Sequence, residues 1–132
     1  MTSYNLVNGV HAANSYDLCT VLAREEWGFE GITISDWGGV HDTTEAAYHG
    51  LDIEMSVTDD FDEYFMAQPL LEKVQSGEIK EEVIDEKIRH ILYVMNELHM
   101  LDGERKAGAY NDFKDREQLL QVALESIVLL SN

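Results

Sequence analysis

The chain reads as an α/β domain built on parallel strands, and three observations predict that class. Strand-like and helix-like patterns alternate through the first hundred residues, the signature of strand–helix–strand units. The β-branched run Ile32, Thr33, Ile34 lies between glycines in GFEGITISDWGG, the pattern of a short buried strand. Gly28, Gly50 and Gly77 each follow a helical stretch at the place where a helix commonly stops.

Taken in order, residues 1–5 look like the end of a strand, and Asn8-Gly9 is a turn signal. Asn14 or Ser15 is placed to cap a helix running to about Trp27, with Leu18, Val21 and Leu22 at helical spacing. A strand over 31–35 follows, then the SDWGG turn, then a helix from Asp42 to His49. Residues 51–55, LDIEM, alternate apolar and acidic side chains as a third strand. The acidic and aromatic stretch 56–68 has no clear period and reads as a loop. Beyond Pro69, a helix is expected over 70–76 and another over 81–100, the latter with Val83, Ile84, Ile88, Ile91, Leu92, Met95 and Leu98 on one stripe. Residues 102–115 are polar and linker-like, and a last helix over 116–126 runs into the apolar SIVLL. Three strands are too few for a closed barrel of this type, which needs eight and typically about 250 residues.

The chain has 132 residues, 45% hydrophobic, with 26 acids against 9 bases and a formal net charge of −17. That balance excludes disorder on composition. It also makes phosphate backbones and anionic lipid surfaces poor partners, because the surface repels them. The single cysteine, Cys19, sits in an apolar helical stretch and reads as a small core residue. No apolar segment approaches a membrane-spanning length.

The chemistry concentrates at the end of the second strand. Asp36 closes ITISD, Trp37 follows, and Gly38-Gly39 turn the chain away. A strand-end carboxylate in such a fold points into the mouth where ligands bind. Beside a flat ring it suits a sugar: the ring packs on the C–H face of a pyranose, and the carboxylate attacks or stabilises the anomeric carbon. Asp52 and Glu54, at the end of the third strand, are candidates to line a site, or else to anchor loop backbone or salt-bridge a neighbouring strand. His11 is a candidate for the mouth. His41 and His49 lack a second ligand pair at zinc spacing and read as solvated helix residues, so no metal is expected. Asp59, Asp60, Asp62 and Glu63 crowd one loop with Phe61, Tyr64 and Phe65, but the calcium-loop pattern is absent, and they read as a surface loop near the substrate entrance.

The segments MTSYNLVNG, GFEGITISDW, GLDIEM and ESIVLLSN, in that order, resemble glycoside hydrolase family 3, of the β-glucosidase and β-xylosidase type, over essentially the whole chain. The resemblance implies a fragment of a (β/α)8 barrel, its last three strands and helices over residues 1–101, then a linker over 102–115, then the start of an α/β sandwich domain over 116–132. Met1 then falls inside a strand, as expected of a truncated start. It implies a retaining, exo-acting β-glycosidase with Asp36 as nucleophile, Trp37 walling the sugar site and Tyr4 holding the nucleophile through its hydroxyl. The family's lysine–histidine pair would lie upstream of Met1, and its acid/base beyond Asn132, so the isolated fragment is expected to be inactive. No cofactor is implied; the partners are β-linked glycosides and the remainder of the parent chain, with neither nucleic acid nor membrane. The compartment stays open, a secreted or periplasmic parent being one expectation. Two other readings stand beside this one: a non-catalytic carbohydrate-binding remnant of the same fold, and a plain α/β domain in which Asp36 is structural.

Overall fold

A computed structural model describes residues 1–108 and 112–131. Three short chain segments lie side by side. The Thr2 amide donates to the Ile34 carbonyl at 2.8 Å. On the other side, the Asp52 amide donates to Thr33, the Ser35 amide to Ile53 and the Gly38 amide to Met55, at 2.9, 3.0 and 2.9 Å. Ile34 and Ile53 form a parallel bridge. The expected parallel pairing of the second and third strands is therefore present, though each segment is short. Ser35 reinforces it with its side chain, whose hydroxyl accepts from the Met55 amide at 2.7 Å.

The first segment leads into a feature that the sequence announced only as a turn. Strands β1 (Leu6–Val7) and β2 (Val10–His11) form an antiparallel hairpin. Asn8 and Gly9 both have positive φ, 52° and 86°, the backbone that a two-residue turn of this hand requires and that Asn-Gly supplies at low cost. A 3-10 turn over Ala12–Asn14 follows. The helix expected to Trp27 spans Asp17–Glu26 and is wound as a π-helix rather than an α-helix. At its end the Trp27 amide reaches the Leu22 carbonyl, five residues back, at 3.1 Å. Ser15 lies just ahead of it, its hydroxyl accepting from the Leu18 amide at 3.3 Å, while Tyr16 holds the cap position without a side-chain bond.

Helix α1 (Thr43–Tyr48) is capped by Asp42, whose side chain accepts from the Glu45 amide at 2.8 Å. It ends at Gly50, where φ is +94° and an added Cβ would meet the Thr20 hydroxyl at 2.9 Å and the Cys19 carbonyl at 3.1 Å. Only glycine lets α1 turn back this close to the π-helix. Helices α2 (Gln68–Gln75) and α3 (Glu81–Glu97) pack on α1. The segment 56–67 is a loop apart from one 3-10 turn, Phe61–Glu63. Helix α4 (Asp112–Ser126) begins four residues ahead of expectation. Residues 109–111 of the expected linker, and Asn132, lie outside the described residues.

The core is two small clusters. Ala13, Val40, Ala46 and Leu51 form one beneath the site; Ala47, Leu70 and Ile79 form the other between the helices, with Met66 touching both. The predicted stripe of α3 is only partly covered: Ile88 and Leu92 are exposed, while Val83 and Ile84 pack on the second cluster. The residue of α3 that is buried is Lys87, whose ammonium donates to the carbonyls of Ala46, Ala47 and Leu51. It thereby satisfies the end of α1, where carbonyls otherwise lack partners. No described helix is long and apolar enough to cross a membrane.

At the N-terminal end of the strands, Asp52 accepts from the Thr33 amide at 2.6 Å, from Arg24 Nη2 at 2.7 Å and pairs with His90 Nδ1 at 2.7 Å. Arg24 Nη1 also donates to the carbonyls of Phe29 and Gly31, both at 2.6 Å. Asp52 thus starts the third strand, opposite Thr33, rather than ending it, and of its two readings the structural one holds: it serves as an ion-pair anchor.

Two expectations follow from this packing. Burial pushes the Lys87 ammonium down to about 8 from 10.5, with Asp52 opposing and Arg24 reinforcing the shift. Between those two values the unfolded chain binds a proton that the native state does not, so stability rises with pH across that window and the penalty is constant below it. Thermal unfolding of the intact parent and its Lys87→Met variant from pH 7.5 to 10.5 should show the unsubstituted protein gaining on the variant, by at most about 3 kcal/mol. Equal pH dependence of the two would mean that Lys87 is not desolvated. The second concerns the isolated chain. Ile127, Val128, Leu129 and Leu130 are 72–93% exposed, and Leu119, Leu120, Val122 and Leu124 of α4 are exposed too. Such apolar surface drives association, and the uncovered strand edges add to it. Sedimentation of the purified 132-residue chain should show self-association without a sharp cooperative melt; a monomer melting cooperatively would contradict this.

Candidate functional site

The same register that sets Asp52 at one end of the strands sets Asp36 at the other. The Gly38 amide is bonded to the Met55 carbonyl just past the second strand, so the Asp36-Trp37 pair sits at the C-terminal rim. Asp36 is half-buried. Its Oδ1 accepts from the Trp37 amide at 2.8 Å, a local bond that fixes the carboxylate relative to its own backbone. The Asp36 carboxylate, first through hydrogen bonding and then with desolvation and its charge, pushes the Tyr4 phenol above its usual value. The phenol therefore stays protonated, and a donor, through the neutral range.

Three of the residues singled out in the sequence thus meet at one rim: Asp36, Trp37 and Tyr4. Trp37 and Tyr4 are each 54% exposed, which places neither ring in the core. A flat indole face beside an oriented carboxylate is a surface that can hold a sugar ring against a nucleophile. Val57 lies directly over Gly38, where an added Cβ would meet its methyls at 3.4–3.5 Å, so the loop after the third strand approaches the same rim.

The other candidates fall elsewhere. Glu54 holds loop backbone: it accepts from the Met66 amide at 2.7 Å, and burial pushes its carboxyl up against the lowering effect of the Met66 and Phe65 amides. The His11 ring stacks on that of His41, with centroids 3.6 Å apart and planes 25° from parallel. His49 binds inward instead, its Nδ1 lying 2.6 Å from the Asn14 carbonyl. Asp60 caps the 3-10 turn of its loop by accepting from the Asp62 amide, Glu63 bonds Thr58, and Phe61 packs on Tyr64. Cys19 is buried with its thiol donating to the Ala12 carbonyl, and burial pushes that thiol up, as befits a core residue. Among the described residues, His99, Asp102 and Glu104 bring possible metal-ligating atoms together, but all three are exposed and their closeness follows from their own hydrogen bonds.

Sequence reasoning missed Asn14 as anything more than a cap. It is 1% exposed, its side-chain nitrogen donates to the Asp42 carbonyl at 2.9 Å and its side-chain oxygen accepts from the His41 amide at 3.0 Å. It ties the loop after Asp36 to the turn after the hairpin. A polar residue beside the small pair Ala12-Ala13 was the available signal, because a buried amide must find partners.

The family model for the glycosyl hydrolase family 3 N terminal domain matches residues 1–94. A probable β-glucosidase I of Aspergillus terreus is 37% identical across the full length of the chain, which covers 16% of that protein. A β-glucosidase of Bacteroides ovatus is 35% identical, again across the whole chain, which covers 19% of it. Among solved structures, a β-glucosidase of Bifidobacterium adolescentis superposes with a TM-score of 0.75 at 32% identity, over 98% of this chain and 18% of that one. The chain thus spans less than a fifth of the length of these relatives. The family's N-terminal domain is a (β/α)8 barrel, which accounts for parallel segments flanked by helices with a carboxylate at their C-terminal rim. The chain belongs to glycosyl hydrolase family 3.

Proposed function

We propose that the chain is the nucleophile-bearing part of a retaining, exo-acting β-glycosidase that removes terminal β-D-glucosyl or xylosyl residues. Residues 1–101 supply the last three strands of its barrel, 102–115 the linker and 116–132 the start of the next domain. The observation that carries the reading is Asp36: a rim carboxylate oriented by the Trp37 amide, near enough to Tyr4 to raise its phenol, beside an exposed indole. The relatives' names, all β-glucosidases, support the substrate class.

In this mechanism the Asp36 carboxylate attacks the anomeric carbon, and the glycosidic oxygen leaves with a proton from a second carboxyl group roughly 5–5.5 Å away. That group is supplied from outside this chain, and then activates the water that releases the sugar. Tyr4 and the Trp37 amide hold one attacking geometry, so that the carboxylate need not reorganise as the glycosyl-enzyme forms. Trp37 holds the apolar face of the sugar.

In the full-length parent, a 2-deoxy-2-fluoro β-glucoside should accumulate as a covalent adduct, and peptide mapping should place it on the fragment containing Asp36. Label on another carboxylate would remove Asp36 from this role. Asp36→Asn should keep the fold and lose turnover by at least about a thousandfold, because the amide is nearly isosteric but a poor nucleophile.

Trp37→Ala in the same protein should lower kcat/KM roughly fivefold to tenfold, the scale of about 1 kcal/mol of aromatic packing on the sugar. Unchanged kinetics with both aryl and natural glycosides would show that the ring does not face the substrate.

A further inference from the structure

The stacked imidazoles of His11 and His41 are not explained by the fold. His11 lies on the return strand of the hairpin that begins just after Tyr4 and Asn5, paired across from Leu6. His41 closes the loop that begins at Asp36. The two rings therefore bridge the two rim loops that carry the Tyr4–Asp36 contact, with centroids 3.6 Å apart. The two sides of the bridge differ in how firmly they are held. His41 and Asp42 are bonded through their backbone to the buried Asn14 side chain, at 3.0 and 2.9 Å, so the backbone carrying the His41 ring is anchored. The hairpin is tethered less firmly, with Leu6 and Val10 exposed. From the hairpin side, His11 Nδ1 lies 3.4 Å from the carbonyl oxygen of Tyr4 itself. A path thus runs from Asn14 through His41 and His11 to the Tyr4 backbone, and from there to the Tyr4 hydroxyl at Asp36.

We propose that the His11–His41 stack is a positioning clasp that holds Tyr4 against the Asp36 carboxylate. The proposal rests on the reading of Asp36 as nucleophile. Neither imidazole touches the sugar; they act through Tyr4. His41 is exposed and His11 only half-buried, so the stack contributes little to global stability, and its effect falls on the geometry of attack.

The test uses the full-length parent with His11→Ala, His41→Ala, the double variant and His41→Phe. The readout is the rate of covalent labelling by a 2,4-dinitrophenyl 2-deoxy-2-fluoro β-glucoside, whose leaving group needs no acid, together with mapping of the labelled peptide. Each alanine variant should slow maximal labelling about tenfold with an unchanged half-saturating concentration, and the double variant should be no slower than either single one. His41→Phe keeps a flat ring at that position and should recover most of the rate. Labelling of Asp36 at the unsubstituted rate in both alanine variants overturns the clasp. So does a double variant as slow as the product of the singles, or a phenylalanine variant as slow as the alanine one. If His11→Ala melts early, the His41 variants decide, since that side chain is exposed and meets the hairpin through the stack. Label on a carboxylate other than Asp36 in the unsubstituted parent marks failure of the nucleophile assignment instead, and the clasp falls with it.

Discussion

A buried carboxylate at the foot of the strands holds the rest of this structure in register. The Asp52 side chain is 1% exposed and takes hydrogen bonds from the Thr33 amide, Arg24 and His90. Those partners come from the second strand, the π-helix and α3, so one residue ties four elements together. A charge buried this completely is tolerated only when paired and fully hydrogen-bonded. A one-residue slip of the third segment would pull Asp52 from all three donors at once, besides turning its side chains to the wrong face. The arrangement is not free of cost, since Arg24 Nε is buried without a partner. Its value lies in specifying one alignment rather than in net stabilisation. That alignment fixes where the second strand ends, and so where Asp36 emerges.

Three acids on two neighbouring strands do three different jobs, and their surroundings decide which. Asp52 is enclosed by Arg24, His90 and the Thr33 amide and is structural. Glu54, two residues on, accepts loop amides at the base of the segment 56–65. Asp36 is left half-open at the opposite end, oriented by the Trp37 amide yet reachable from outside. The division of labour matches what a barrel imposes: one end of the strands secures the fold, the other is available for chemistry.

Much of the rim was legible because it is carried by contiguous residues. Asp36, Trp37 and the glycines read as a strand end and turn; Asn8-Gly9 read as a turn; Asp42 stood where a helix begins. What stayed hidden depends on contacts distant in sequence. Nothing local distinguishes Lys87 from a solvated charge on an amphipathic helix, yet its ammonium ends among three carbonyls some forty residues away. The Arg24–Asp52–His90 cluster joins residues up to 66 positions apart. Of the two readings open for Asp52, the salt-bridging one holds, but alternation in LDIEM gives the period of a strand and not which partners the anchor takes. The π winding was hidden because Leu18, Val21 and Leu22 fit either helix type at that length. The expected stripe on α3 was real as a pattern, but pattern alone does not say which of its members a neighbour covers, and Ile88 and Leu92 remain outside.

The loop after the third strand is hydrogen-bonded to the fold near its base. Glu54 grips the Met66 amide, and the Thr43 hydroxyl donates to the Phe65 carbonyl at 2.9 Å, while Asp59, Phe61 and Glu63 between them are exposed. Two staples near one point isolate the intervening residues from the core, and the entropic penalty of lengthening such a loop grows only slowly with size. The span from Val57 to Tyr64 is therefore open to replacement, extension or shortening while the strands beneath keep their alignment. A lineage can remodel this loop without disturbing the strand ends beside it.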